Sequence, residues 1–279
     1  MPERLIEVDG VELCTEAFGD PRDVPVLLIM GIGASMLWWE EEFCRMLAAG
    51  GRFVIRYDHR DTGRSMTYEP GRPEYRAADL VADAPRVLDA YELPAANVVG
   101  VSAGGAFAQL LALEAPERVS SLVLISTSAA VAVERELPPP TEAFGRFVST
   151  ATVDWSDPDS VVEYLVGYSR VLAGTERPFD DAAARDLIGR DVERARDVAA
   201  LQNHGLIADG GRRSKPLSAI AAPTLVIHGT ADPMFPIGHG EALAQEIPGA
   251  KLLRLEGAGH GVERADWEVV VGAILEHTA

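Results

Sequence analysis

Asn97-Val-Val-Gly-Val-Ser102-Ala-Gly-Gly-Ala-Phe107 is the stretch on which the fold turns. An apolar run ends at Val101, a Gly-x-Ser-x-Gly pattern occupies positions 100–104, and a helical pattern follows over 106–115. Strand, tight turn and helix in that order make the chain reverse within a few residues. A Cβ at 100 or 104 would collide with the neighbouring strand or helix, and Ser102 is left at the apex in a strained conformation with its hydroxyl exposed. The helix opening beside it aims unpaired N–H groups and a positive dipole end at whatever that hydroxyl attacks. A phosphate-binding loop does not fit, because there is neither a Gly-Lys-Ser/Thr nor a matching G-x-G-x-x-G.

Outward from this turn the chain alternates. Continuous apolar runs at 26–30, 53–57, 97–101, 119–125 and 224–228 predict strands buried on both faces, with a weaker one at 251–255. Helical spacing appears at 38–48, 77–90, 107–115 and 267–275. The alternation predicts an α/β fold: a mostly parallel sheet with helices on both faces. Residues 5–8 and 11–18, joined by Asp9-Gly10, predict an antiparallel hairpin at its edge. The rhythm breaks from 128 to 216, where Pro138-Pro-Pro140, helical pieces at 161–172 and 182–200, and Gly210-Gly-Arg-Arg read as a helical cap. Residues 1–127 and 217–279 then form the core, with the cap over the carboxyl ends of its strands.

Composition excludes several classes of function. With 279 residues, 47% apolar and 24% charged, the chain is an ordinary globular one that buries roughly 75% of its unfolded surface. The 43 acidic residues against 25 basic ones, a formal charge of −18, repel nucleic acid and anionic membranes. Cys14 and Cys44 have no metal-like spacing and read as reduced thiols, so neither a metal nor an organic cofactor is expected. No apolar segment is long enough to span a bilayer and no secretory signal precedes residue 5, so a cytoplasmic protein is expected. Oligomeric state has no sequence signal.

A serine hydroxyl is a weak nucleophile unless a base takes its proton and a third group orients that base. Of His59, His204, His228, His239, His260 and His277, His260 is placed best, in a glycine-rich loop (257–261) just past the last strand. His228 ends a strand, His277 is in the tail, and His204 belongs to the insertion, where at most it touches substrate. Asp232, just past the 224–228 strand and followed by Pro233, is the orienting acid. The alternative site after 119–125 reads Ser126-Thr-Ser-Ala-Ala and has no carboxylate. Oxyanion donors are expected from the N–H of Ala103 and, in Met30-Gly-Ile-Gly-Ala, from Ile32.

Together these residues resemble the α/β-hydrolase superfamily over nearly the whole chain. Besides Gly-Val-Ser-Ala-Gly-Gly, Asp58-His-Arg-Asp-Thr-Gly-Arg-Ser65 is similar to that family's D-x-R-G-x-G-x-S segment, and 225–232 and 257–260 to its acid and histidine segments. The resemblance implies Ser102, Asp232 and His260 as triad, Ile32 and Ala103 as oxyanion donors, and a bracing role for 58–65. Two departures stand out: Met30-Gly31 where the family commonly has His-Gly, and Arg60-Asp61 where Arg-Gly is usual. Both, with the D-H-R-D-T-G-R-S string, resemble the methylesterases of anthracycline (aromatic polyketide) biosynthesis.

A serine at the elbow argues against dehalogenases and epoxide hydrolases, which carry an aspartate there. Met36, Trp38, Trp39, Trp155, Tyr164, Tyr168, Met234 and Phe235 are candidate walls of a broad apolar pocket. The expectation is a carboxylic ester hydrolase acting on a hydrophobic small-molecule ester. A C–C bond hydrolase of the meta-cleavage type, a cofactor-free perhydrolase and a non-catalytic ligand receptor stay open as alternatives.

Overall fold

The structure, a computed structural model, describes residues 1–207 and 215–279. The strands are β1 (Arg4–Val8), β2 (Val11–Phe18), β3 (Val24–Ile29), β4 (Arg52–Tyr57), β5 (Ala96–Val101), β6 (Val119–Ile125), β7 (Thr224–Gly229) and β8 (Lys251–Leu255). They form one sheet in the order β1-β2-β4-β3-β5-β6-β7-β8, in which β2 runs antiparallel to β1 and β4 and every other pairing is parallel. Asp9 and Gly10 both sit at positive φ, as a tight hairpin turn requires.

The apolar runs explain the layering. Alternate residues of a strand point to opposite faces, so Leu27, Ile55, Val98, Leu122 and Val226 pack on one side with α2 (Ala77–Ala90) and α3 (Ala103–Glu114). Val26, Val54, Val99, Val123 and Ile227 pack on the other with α1 (Glu41–Ala49) and α8 (Trp267–His277). Burial on both faces leaves no room for polar alternation in the central strands. It also holds their carboxyl ends in one rigid row.

Between β6 and β7 lies the helical insertion: α4 (Glu142–Thr150), α5 (Pro158–Leu172), α6 (Asp181–Arg194) and a 3-10 segment, Val198–Leu206. The helical pattern over 182–200 is in fact broken. Helix α6 stops at Arg194, and Asp197 caps the 3-10 segment by accepting the Ala199 N–H at 3.0 Å. Gly210-Gly-Arg-Arg lies outside the described residues. The helix expected from Trp38 begins only at Glu41, because Ser35 caps a separate 3-10 turn, Met36–Trp38. Two helices had no anticipated counterpart, α4 and α7 (Gly238–Glu246). Among the described residues no helix is long and apolar enough to cross a membrane.

Candidate active site

Ser102 sits between β5 and α3 at φ 54° and ψ −124°, a region that costs a non-glycine residue roughly 1–3 kcal/mol. The surroundings enforce it. The Ser102 N–H donates to the Ile125 carbonyl at 3.0 Å, and Thr127 Oγ1 donates to the Ser102 carbonyl at 2.6 Å. A Cβ on Gly100 would fall on the Gly104 carbonyl, and one on Gly104 would fall on the carbonyl oxygens of Ile29 and Met30. The two glycines are therefore the condition for turning the chain sharply enough to present Ser102.

His260 and Asp232 meet as their positions past β8 and β7 suggested. His260 Nδ1 lies 2.8 Å from Asp232 Oδ2, and the carboxylate is fully buried. Asp232 Oδ1 accepts the N–H groups of Met234 and Phe235 at 2.9 and 2.8 Å, so both oxygens are committed. Since a carboxylate only accepts, His260 carries its proton on Nδ1 and leaves Nε2 free to act as a base. The histidine loop is tied at both ends of the residue. His260 N–H donates to the Leu172 carbonyl at the end of α5, and Gly261 N–H donates to Ser126 Oγ at 3.0 Å. Ser126 follows β6, the strand next to that of Ser102, and is itself held at φ 44°. Ser126 thus links the strand beside the Ser102 turn to the His260 loop.

The loop after β3 passes against Ser102: a Cβ on Gly31 would lie 3.3 Å from Ser102 Cβ and 3.8 Å from its Oγ. Gly31 thus lies against Ser102, next to the start of α3, where the first N–H groups have no intrahelical acceptor. The loop's polar anchors come from two places. His59 Nε2 donates to the Met30 carbonyl at 2.8 Å, and Asp58 Oδ1 accepts the Met36 N–H at 2.9 Å. From the insertion, His204 Nδ1 accepts the Gly33 N–H at 2.8 Å, and Asp191 Oδ2 accepts the Trp38 indole N–H at 2.7 Å. Burial pushes the Asp191 carboxyl above the usual carboxylate range, against the hydrogen bonds from Ser35 and Trp38. Burial likewise depresses His59, and lowers His204 to about 4 with the neighbouring His59 adding to the effect.

The candidate pocket residues divide. Trp155, in the turn between α4 and α5, joins Phe144 and Phe147 of α4 and Tyr164 and Tyr168 of α5 in an aromatic cluster, with neighbouring ring centroids 5.8–6.4 Å apart. Thr141, which caps α4, donates its N–H to the Pro233 carbonyl, so the first turn of α4 adjoins the Asp232 turn. Phe235 lies 5.7 Å from the His260 ring, and Met234 beside it is partly exposed. Trp38 is partly exposed where the loop meets α6. Trp39 and Met36 are both buried. Trp39 stacks on Phe43 in the core beneath α1, and Met36 is fully buried with its N–H on Asp58. The 3-10 turn rotates Trp39 inward, which a continuous helical reading of 38–48 did not anticipate.

Sequence reasoning passed over Ser126, His59, His204 and Asp61. The last occupies the place where glycine is usual and adopts the same left-handed backbone, at φ 62°. Its buried carboxylate accepts from Tyr68 N–H at 2.6 Å, Tyr75 Oη at 2.7 Å and Asn203 Nδ2 at 3.0 Å. For His59 and Asp61 the signal was the expected bracing role of 58–65; His204 was weighed only as a residue touching substrate, and Ser126 carried no signal of its own.

Residues 24–262 match the family model described as alpha/beta hydrolase fold. Over the whole chain and 98% of theirs, the sequence is 37% identical to the rhodomycin D methylesterase DauP of Streptomyces sp. strain C5 and 36% identical to its counterpart DnrP of Streptomyces peucetius. Among solved structures, the esterase RhEst1 of Rhodococcus sp. ECU1013 superposes with a TM-score of 0.77 at 25% identity, covering 100% of this chain and 98% of that one. The chain belongs to the α/β-hydrolase family, as an esterase related to the rhodomycin methylesterases.

Proposed function

We propose that the chain hydrolyses a carboxylic methyl ester carried on a hydrophobic polycyclic molecule, with Ser102 as nucleophile, His260 as base and Asp232 as orienting acid. The observation that carries this reading is the Asp232–His260 hydrogen bond at 2.8 Å, which puts the imidazole proton on Nδ1 and so supports Nε2 as the nitrogen that takes the Ser102 proton. Ser102 Oγ attacks the ester carbonyl carbon and its proton passes to His260 Nε2. The oxyanion so formed accepts from the N–H groups of Ala103 and Ile32. Collapse breaks the carbonyl–alkoxy bond, and His260 returns the proton to the departing methanol. Water then attacks the acyl-enzyme as His260 takes its proton, and the second collapse frees the carboxylic acid and Ser102.

The substrate class rests on the relatedness to methylesterases along the full chain and on the aromatic cluster of the insertion, whose helix α4 begins against the Asp232 turn. Flat rings suit such a surface. The reading includes a cytoplasmic setting, supported by the free, buried Cys14 and Cys44. The test is turnover of a polycyclic aromatic methyl ester with release of methanol, together with labelling by a fluorophosphonate. Both are expected in the wild type and absent in Ser102→Ala. Cleavage of a vinylogous 1,5-diketone without ester turnover replaces this reading with C–C hydrolysis. Peracid formation with peroxide but no hydrolysis points to a perhydrolase, and ligand binding with neither labelling nor turnover to a receptor.

A further inference from the structure

We infer that His204, supplied by the helical insertion, is a positioning residue for the oxyanion hole: by accepting the Gly33 N–H through Nδ1 it holds the preceding Ile32 N–H over Ser102. This deepens the reading above and rests on it. His204 is buried, and both of its ring nitrogens are spoken for. Nδ1 faces a backbone N–H at 2.8 Å and must accept, while Nε2 faces the Arg60 carbonyl at 2.7 Å and must donate. Only one neutral tautomer satisfies both partners. The imidazole therefore bridges the 58–65 segment and the loop after β3 as a rigid spacer of fixed polarity.

Three further observations give this bridge a purpose beyond packing. First, the held residue is Gly33, at φ 77° in an otherwise open turn, where no side chain of its own fixes the backbone; the Ile32 side chain just before it is 43% exposed. Second, the other end of the turn is held by a second histidine, His59, through the Met30 carbonyl, so residues 30–33 are clamped between two imidazoles whose centroids lie 6.3 Å apart. Third, the position that carries a histidine in the related pattern is Met30 here, which has no polar group with which to brace the turn. The neighbouring Asn203 fastens the same cap segment to the core. It donates to Asp61 and to the Glu69 carbonyl and accepts the Gly71 N–H at 2.7 Å. Docking of this segment on the core and geometry of the oxyanion donor are thereby one event. A donor that must lie within a few tenths of an ångström of a developing oxyanion gains from such a clamp only in the transition state, so its loss falls on kcat rather than KM.

The test compares three variants on the ester of the preceding section. His204→Asn keeps an acceptor where Nδ1 stood, His204→Gln keeps a donor reaching toward the Arg60 carbonyl, and His204→Ala keeps neither. The expected pattern is a kcat about 100-fold lower in Gln and Ala with KM changed by less than about threefold, and recovery to within about fivefold of wild type in Asn. Affinity for a trifluoromethyl ketone analogue, which forms an oxyanion on Ser102, should fall in parallel with kcat. Affinity for the carboxylic acid product should not. Equal kcat in Gln and wild type, or an Asn variant no better than Ala, overturns the inference. Nitrogen NMR of the wild type gives a reading that no folding defect obscures: Nδ1 of His204 must be unprotonated and Nε2 protonated at neutral pH, and the reverse overturns it as well. If Ser102→Ala retains turnover, the assignment of the nucleophile fails instead, whatever the His204 variants do.

Discussion

Replacing Asp232 with Asn changes one atom of a buried side chain, and the structure dictates which way the new amide faces. Oδ1 accepts two backbone N–H groups, from Met234 and Phe235, whereas Oδ2 accepts one N–H from His260. An asparagine that puts its NH2 toward the two amides loses two hydrogen bonds, at about 1 kcal/mol each, and sets donors against donors. One that puts its NH2 toward His260 loses neither, so this orientation wins. His260 Nδ1 must then accept, its proton moves to Nε2, and the nitrogen proposed to take the Ser102 proton can no longer do so. The fold survives while the base is disabled by tautomer alone. By this argument kcat/KM for an activated ester falls about 10⁴-fold, equivalent to roughly 5 kcal/mol of transition-state stabilisation. Thermal denaturation shifts by only a few degrees. The assay is steady-state ester hydrolysis alongside the labelling rate of Ser102 by a fluorophosphonate, both of which need the base. A loss of less than tenfold in a folded Asp232→Asn would refute the reasoning, since it would mean that the two backbone donors do not set the orientation or that His260 is not the base.

The other expectations follow from the same geometry. Gly104→Ala sets a methyl against the Ile29 and Met30 carbonyl oxygens, so soluble expression should collapse or the melting temperature drop steeply; a variant of wild-type stability would contradict the close approach. Ser126→Ala removes the acceptor of the Gly261 N–H and should lower kcat about tenfold with KM little changed, read by steady-state kinetics; unchanged kcat would show that the histidine loop holds itself. His204 has its folded pKa lowered from 6.5 to about 4, so the unfolded chain takes up the proton first as pH falls. Its contribution is thus complete above about pH 6.5 and is lost on descending to about pH 4, a difference of roughly 3 kcal/mol. Urea unfolding between pH 7 and 4.5 should show a shallower pH dependence in His204→Asn than in the wild type, and parallel curves would contradict the assignment.

Much of the architecture was legible because it is written in local patterns. Period-2 and uninterrupted apolar runs mark strands whether or not their partners are known, and each predicted strand lies within two residues of the observed one. The meeting of Asp232 with His260 was legible for a related reason: each, like Ser102, follows a strand, and parallel strands deliver the residues after them to the same edge. The helices were less so. Helix α7 begins Gly-His-Gly and α4 follows three prolines, so neither announces itself by propensity. The break after Arg194 arises because Arg194 turns back to pair with Asp58 and Arg196 donates its N–H to the Gly63 carbonyl, contacts with partners over 130 residues away.

The sequence by itself determined the sheet, the elbow and the placing of Ser102, Asp232 and His260 after β5, β7 and β8, because these depend on which residues adjoin in the chain and on the fixed direction of parallel strands. Only the tertiary structure decided what braces the reacting groups. His204 reaches Gly33 across 171 residues and Gly261 reaches Ser126 across 135. A hydrogen bond between such distant groups leaves no periodicity or spacing behind it, since any polar residue delivered to that point by the packing of the insertion on the core would read the same in one dimension.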